Sequence, residues 1–273
     1  MSHLAVRQLS IDLTPAFPLR WTGDAFTSAM MNALSLSFPV GEQFFLDSVR
    51  NGMAQLPADQ QALFINEVKG FVGQEATHRR VHSLYNRHLT DQGLVNHWEQ
   101  RALTRIAMLK EIDVRHSVAA TAANEHFTAV FAHWLLSNEW FFNNAEPRLK
   151  TLWLWHASEE SEHRCTAFDL YQALGGNEEW RLRWMRRVTW FFLTDLLRQT
   201  VNNLWHDGSL FKLSTCSSAW RHLFAKGGLL RESFGLWRDY FKPGFHPSQH
   251  PDQLSQQWLQ QHANAYTQVP QAT

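Results

Sequence analysis

The chain has 273 residues, 44% of them hydrophobic and 18% charged, which allows one large core and excludes a disordered chain. Arg and Lys balance Asp and Glu at 25 each, so no basic excess points to nucleic acid. Two cysteines, Cys165 and Cys216, exclude a disulfide framework and a thiolate zinc site, so any metal must be held by nitrogen and oxygen.

The first 20 residues read as extended, broken by Pro15 and Pro18. A first helix is expected from the N-cap candidate Asp24 to about Arg50, bent near Pro39 and Gly41 and closed by Asn51-Gly52. Pro57 suits the first position of a second helix running to about Leu89. After the turn Asp91-Gln92-Gly93, a shorter helix reaches about Lys110, and another runs from Asp113 to about Phe142. Glu146-Pro147 opens a helix that stops at Gly175-Gly176, and Asn177 caps a sixth that ends near Trp205. Shorter helical pieces follow around 216–226, 229–241 and 251–264. Strand signals are essentially absent. The expected class is all-α, in one domain: a long four-helix bundle over about 24–175 and a helical extension over about 176–265.

The stretch His156-Ala-Ser-Glu-Glu-Ser-Glu-His163 carries the strongest chemical signal. At ~100° per residue, His156, Glu160 and His163 share one compact face, continued by Ala167. Glu159 falls at the edge of that stripe, and Glu162 falls well off it, toward solvent. The second helix repeats the theme: Glu75, His78 and His82 share a stripe with Phe64, Val68 and Phe71. Burying such groups unpaired would cost several kcal/mol, a penalty that a dication between the helices removes. The first and third long helices each add one inward carboxylate, Glu42 among Phe38, Phe45, Leu46 and Val49, and Glu125 in a run of alanines. A lone glutamate on an apolar face is usually an ion-pair partner. Glu42, Glu75-x-x-His78, Glu125 and Glu160-x-x-His163, one contribution per long helix in that order, form the ligand plan of ferritin-like dinuclear carboxylate proteins.

The segments FPVGEQFF, QEATHRRVH, HASEESEHRCTAFDLY and YFKPGFHP resemble the bacterial family labelled "predicted metal-dependent hydrolase", a likeness that runs from Val6-Arg7 to about Pro251. The ligand spacing is also similar to that of the di-iron arylamine N-oxygenases, whose third histidine, one turn before the last ExxH, corresponds to His156. That resemblance, confined to the site, implies Glu42, Glu75, Glu125 and Glu160 as carboxylates with His78, His156 and His163 as nitrogens. His82 lies outside the pattern and is read as a group behind the ligands or an extra ligand, as is Glu159.

Mixed Glu/His coordination without thiolate suits two iron ions, with manganese or a mixed iron–manganese pair next and zinc after them. The expected chemistry is activation of dioxygen, with an electron donor, to oxidise or oxygenate a small, largely apolar substrate. The alternative is redox-neutral metal-dependent hydrolysis, and a third reading is iron oxidation and storage. Aromatics near the ligands, Phe38, Phe44, Phe45, Phe127, Phe131, Trp134, Trp153 and Trp155, are read as mostly core with some pocket wall. Cys165 is read as packing, not as a nucleophile. The N-terminus has no charged-then-apolar leader, so a cytoplasmic location is expected. The arginines at 181, 183, 186 and 187 before an amphipathic helix leave room for a peripheral membrane contact, and a homodimer stays open.

Overall fold

A computed structural model describes residues 4–270. The described residues are all-α apart from one small ribbon. The helices that matter most for the site are α1 (Ala25–Ala54), α2 (Ala58–Asp91), α4 (Val114–Ser137) and α5 (Pro147–Glu162). Between α2 and α4 lies α3 (His97–Ala107), and α5 is followed by the short α6 (Thr166–Ala173). The last third contributes α7 (Glu178–His206), α8 (Leu213–Leu223), α9 (Leu229–Asp239) and α10 (Gln253–Gln261). Helix α1 packs along α2 and α4, and α4 along α5; α7 lies on α1 and α4, while α10 covers α5.

Several boundaries differ from the sequence expectation, each for a tertiary reason. Helix α1 runs through Asn51-Gly52 to Ala54. Gly52 is a packing position there, because a Cβ on it would meet Val118 Cγ2 at 2.8 Å. Helix α4 ends at Ser137 rather than Phe142: the Asn138 side chain donates to the Trp134 carbonyl, and a 3-10 turn covers Glu139–Phe142. The helix that opens at Pro147 stops at Glu162 and restarts at Thr166. At that break the Arg164 guanidinium donates to the Ser161 carbonyl and also to the carbonyls of Pro247 and His250. The Ser161 carbonyl near the end of α5 is thus capped by a side chain anchored some eighty residues downstream.

The expectation of no strand is also corrected. β1 (Arg7–Leu9) pairs antiparallel with β2 (Tyr266–Gln268), tying the two ends of the chain together. Strands of three residues leave no periodic signal to read. Their placement matters, since β1 delivers Arg7 to the site.

Pro39 sits inside α1 without ending it. Lacking an N–H, it leaves the Ser35 carbonyl without its helical donor. The Asn86 amide of α2 supplies that donor at 2.8 Å, and the Asn96 amide donates to the Leu36 carbonyl at 2.7 Å. The proline therefore locks α1 to its neighbours just ahead of Glu42.

Candidate metal centre

Glu42, Glu75, Glu125 and Glu160 converge with His78, His82, His156 and His163 in the interior between α1, α2, α4 and α5, and every one of them is buried. Aromatic rings pack against the site. Phe38 packs edge-on against His82 and His156, Trp155 against His78, and Phe71 against His163. Burying Phe71 completely contributes roughly 1.5–3 kcal/mol, and packing of this kind holds polar groups in a place they would otherwise avoid.

Two sets of donor atoms come together. Glu75, His78, Glu160 and His163 bring ligating atoms within 4.8 Å of one another, and so do Glu42, His78 and His156. His78 belongs to both sets, so the two lie side by side. Glu125 stands behind His163, accepting from its Nδ1–H at 2.8 Å, with its other oxygen unpartnered.

Each of the three central histidines has one ring nitrogen occupied from outside and the other directed inward. His78 donates Nε2–H to Glu159 at 2.8 Å, while its Nδ1 faces Glu160 at 3.5 Å. His163 donates Nδ1–H to Glu125, leaving Nε2 3.3 Å from Glu75. His156 is oriented by a longer chain. The Asn86 amide nitrogen is committed to the Ser35 carbonyl, so Asn86 Oδ1 accepts the Ser35 hydroxyl proton at 2.7 Å. Ser35 Oγ must then accept from His82 Nδ1–H at 2.8 Å. Burial holds His82 well below the ordinary histidine range, helped by the neighbouring His156 and His78, so it is neutral and its Nε2 is bare. That nitrogen accepts from His156 Nδ1–H at 2.8 Å. Burial likewise pushes His156 down to about 4, which leaves its Nε2 as a lone pair aimed at Glu160 Oε1, 2.8 Å away. Two lone pairs at that distance require a proton or a cation between them.

The carboxylates make the same demand. Burial raises Glu42 and Glu75 well above the usual carboxylate range, and it pushes Glu125 up to about 7 despite His163. Burial would also raise Glu160, but His163, His156 and His78 together outweigh it and hold Glu160 well below that range. For His78, burial acts downward, yet its bonds to Glu159 and Glu160 win and raise it to about 10. Without a metal, protons do the neutralising. Eight buried atoms here have no hydrogen-bond partner: both oxygens of Glu42 and of Glu75, one oxygen each of Glu125 and Glu160, His78 Nδ1 and His163 Nε2. Orphaned potential ligand atoms in such number at one point fit a cation site, since each would otherwise cost about 1–3 kcal/mol.

Glu162, expected at solvent, is instead half-buried. It accepts from Arg7 at 2.6 Å and from Gln74 at 2.8 Å. Arg7 also donates to Glu159 at 3.0 Å, so an Arg7–Glu159–His78 series reaches the centre from the N-terminal strand. Nothing in the local helical pattern marks Arg7, Ser35 or Asn86; only the tertiary fold joins them to the site.

The sequence pattern of one family matches residues 5–251, nearly the whole chain. This protein belongs to the predicted metal-dependent hydrolase family. No curated protein and no solved structure matches it. The family's description carries metal dependence, which the buried Glu/His sets support, and it names hydrolysis, the alternative drawn from the sequence rather than the leading reading.

A cleft of about 540 Å³ adjoins the centre of this family member, between α1, α3, α4 and α7. Phe38, Gly41 and Phe45, which flank Glu42 along α1, line it together with Asn124 and Thr128 from α4. Of the aromatics noted in the sequence, Phe38, Phe44 and Phe45 face this cleft, whereas Trp134, Trp153 and Trp155 are core. Phe127 stacks on Phe192, and Phe131 on Trp134. Burial pushes the Cys165 thiol up to about 11, which fits packing and not nucleophilic attack.

Proposed function

We propose that this chain is a dinuclear metal enzyme on a ferritin-like four-helix plan, a single domain in which residues 24–175 hold two ions and 176–265 cover them. The observation that carries the reading is the set of eight unpartnered lone-pair atoms converging from helices α1, α2, α4 and α5 and the turn that follows α5. Glu42, Glu75, Glu160, His78, His156 and His163 are the ligands; Glu125 holds His163 through one oxygen and keeps the other for a metal. Glu159 and His82 orient His78 and His156 from behind, the arrangement that fixes tautomer and ring angle at metal sites.

Iron is the favoured metal, with manganese or a mixed pair next and zinc less suited. Four carboxylates nearly neutralise two dications, and when bound the pair would supply two electrons to dioxygen. The enclosure of the centre by Phe38, Phe71 and Trp155 keeps bulk water away, which favours oxidation or oxygenation of a small substrate held in the apolar cleft. Asn124 and Thr128 are placed to meet its polar end. An external electron donor completes that chemistry. The second reading is redox-neutral hydrolysis, which the family's description supports. Iron oxidation and storage ranks last.

One experiment separates the two chemistries. Ferrous protein prepared without oxygen and then mixed with oxygen is followed by stopped-flow absorption, in parallel with zinc-loaded protein assayed on ester and phosphoester substrates. Oxidation of the bound iron supports the oxidative reading. Turnover by the zinc form, with ferrous protein inert to oxygen, reverses the order.

A further inference from the structure

We infer that the face built by α7, the turn after it and α9 docks on an anionic lipid surface. Along α7 the side chains of Trp190, Leu193, Leu197, Val201 and Trp205 recur every third or fourth residue, the spacing of one helical stripe, and all point outward. Trp190, Leu197 and Trp205 are 67%, 64% and 68% exposed, and Phe211 in the following turn and Leu213 at the start of α8 reach 83% and 87%. A groove of about 640 Å³ between α7 and α9 extends the patch, lined by Trp190, Leu193, Leu197, Phe234 and Trp237, with Arg186 and Arg238 beside them. Ordinary surfaces do not carry an apolar stripe of this length without a partner.

Charge selects the occupant. The chain as a whole is neutral, yet the stretch from the start of α7 at Glu178 to the end of α9 at Asp239 holds ten Arg and Lys against six acidic residues. Of those six, Glu178 and Glu179 pair with Arg181 and Arg183, Asp195 is buried between Arg101 and Arg105, and Asp207 and Asp239 pair with Arg20 and Lys242, which leaves Glu232. A second copy meeting this face about a two-fold axis would set cations against cations. Anionic headgroups meet them with opposite charge, and tryptophan with aliphatic side chains suits the interface below. No helix of the described residues is long and apolar enough to cross a membrane, so the contact is one of surface docking. The site cleft opens beside the stripe. Phe191, the neighbour of Trp190, lines that cleft with Met108 and Ile112, and all three are exposed. If the proposed enzyme takes an apolar substrate, this places its entrance against the lipid; that clause rests on the proposed function, whereas the docking does not.

The test is co-sedimentation of full-length protein, its metal content measured, with vesicles of phosphatidylcholine alone or mixed with phosphatidylglycerol. The expected result is binding to the mixed vesicles only, weakened by high salt. The variants Arg186→Gln and Arg238→Gln each lower affinity about fivefold, and Trp190→Ser with Leu197→Ser abolishes binding while metal content and melting temperature stay at wild-type values. Absence of binding to mixed vesicles overturns the proposal. So does a lipid-free dimer, seen by ultracentrifugation, that the Trp190→Ser and Leu197→Ser changes dissolve. Because neither readout involves turnover, failure here is distinct from failure of the enzymatic reading.

Discussion

At the scale of single residues, the site separates groups that aim lone pairs inward from groups that aim them. Removing Glu160 or His163 deletes a converging atom, and both Glu160→Ala and His163→Ala are expected to lose most bound metal by elemental analysis. His82→Ala deletes no such atom, yet it frees His156 to turn or change tautomer. A loss of 10–100-fold in metal affinity is expected there, as for other orienting partners. Glu159→Ala should behave similarly through His78. Glu162→Ala should cost only a few-fold, because Arg7 keeps Glu159 in place without it. Titration calorimetry with ferrous or manganous ion ranks the five, and an equal loss in Glu162→Ala and Glu160→Ala would contradict the assignment.

Proton linkage at these residues sets a pH dependence with a definite sign. Glu125 near 7, Glu42, Glu75, His78 and His163 all hold protons more tightly folded than unfolded. Their stabilisation is complete below the unfolded values and is lost as pH rises through the folded ones. His82 and His156 shift the other way, but their effect is confined to pH below about 6.5, the ordinary histidine value. Between about pH 6.5 and 8 only the raised groups act, so the metal-free protein should melt at lower temperature as pH rises, by roughly a few degrees. Metal binding releases those protons and should strengthen over the same window. A flat or rising melting temperature for the metal-free protein would contradict the buried charge balance.

At the scale of elements, α1 shows how one helix is bent to two tasks. Pro39 frees a carbonyl that Asn86 satisfies, and the same Asn86 anchors the hydroxyl that begins the chain to His156. Asn86→Ala therefore strands a part-buried carbonyl, at about 1–3 kcal/mol, and loosens His156 in one step. Gly52 is the other constraint. Alanine there gains about 1 kcal/mol of helix propensity, but its Cβ would press on Val118 Cγ2 at 2.8 Å with Leu170 and Leu174 close behind. Val118 is β-branched and has little room to turn. Overpacking of that kind costs about 1–3 kcal/mol, so Gly52→Ala is expected to destabilise in denaturant titration. What was legible in the sequence follows the same division. The rotation of an ideal helix put His156, Glu160 and His163 on one face, and their side chains do converge, with both histidines within 4 Å of Glu160, because that relation is local. The break at His163 was hidden, since its cause is Arg164 bonding to carbonyls near residue 250. Glu162 was misplaced for a like reason, its partners Arg7 and Gln74 lying on other elements.

At the scale of the molecule, burial organises the whole. Four glutamates and four histidines, all buried, gather between α1, α2, α4 and α5, and among the described residues no helix beyond α6 adds to the sets of potential metal-ligating groups. Those later helices instead wall the cleft through Trp184, Val188, Phe191 and Phe192 and expose the basic, aromatic face. The all-α class and the order of the helices that carry the buried Glu and His groups could be read from composition and spacing. The chemistry could not, because oxidation and hydrolysis call on the same donors. Both need the ions, and their presence is the claim beneath everything else. Elemental analysis of protein from iron-replete cells, wild type beside Glu160→Ala, tests it most directly. Two metal ions per chain in the wild type and far fewer in the variant is the predicted result; a metal-free wild type, or a metal content the substitution leaves unchanged, would contradict it.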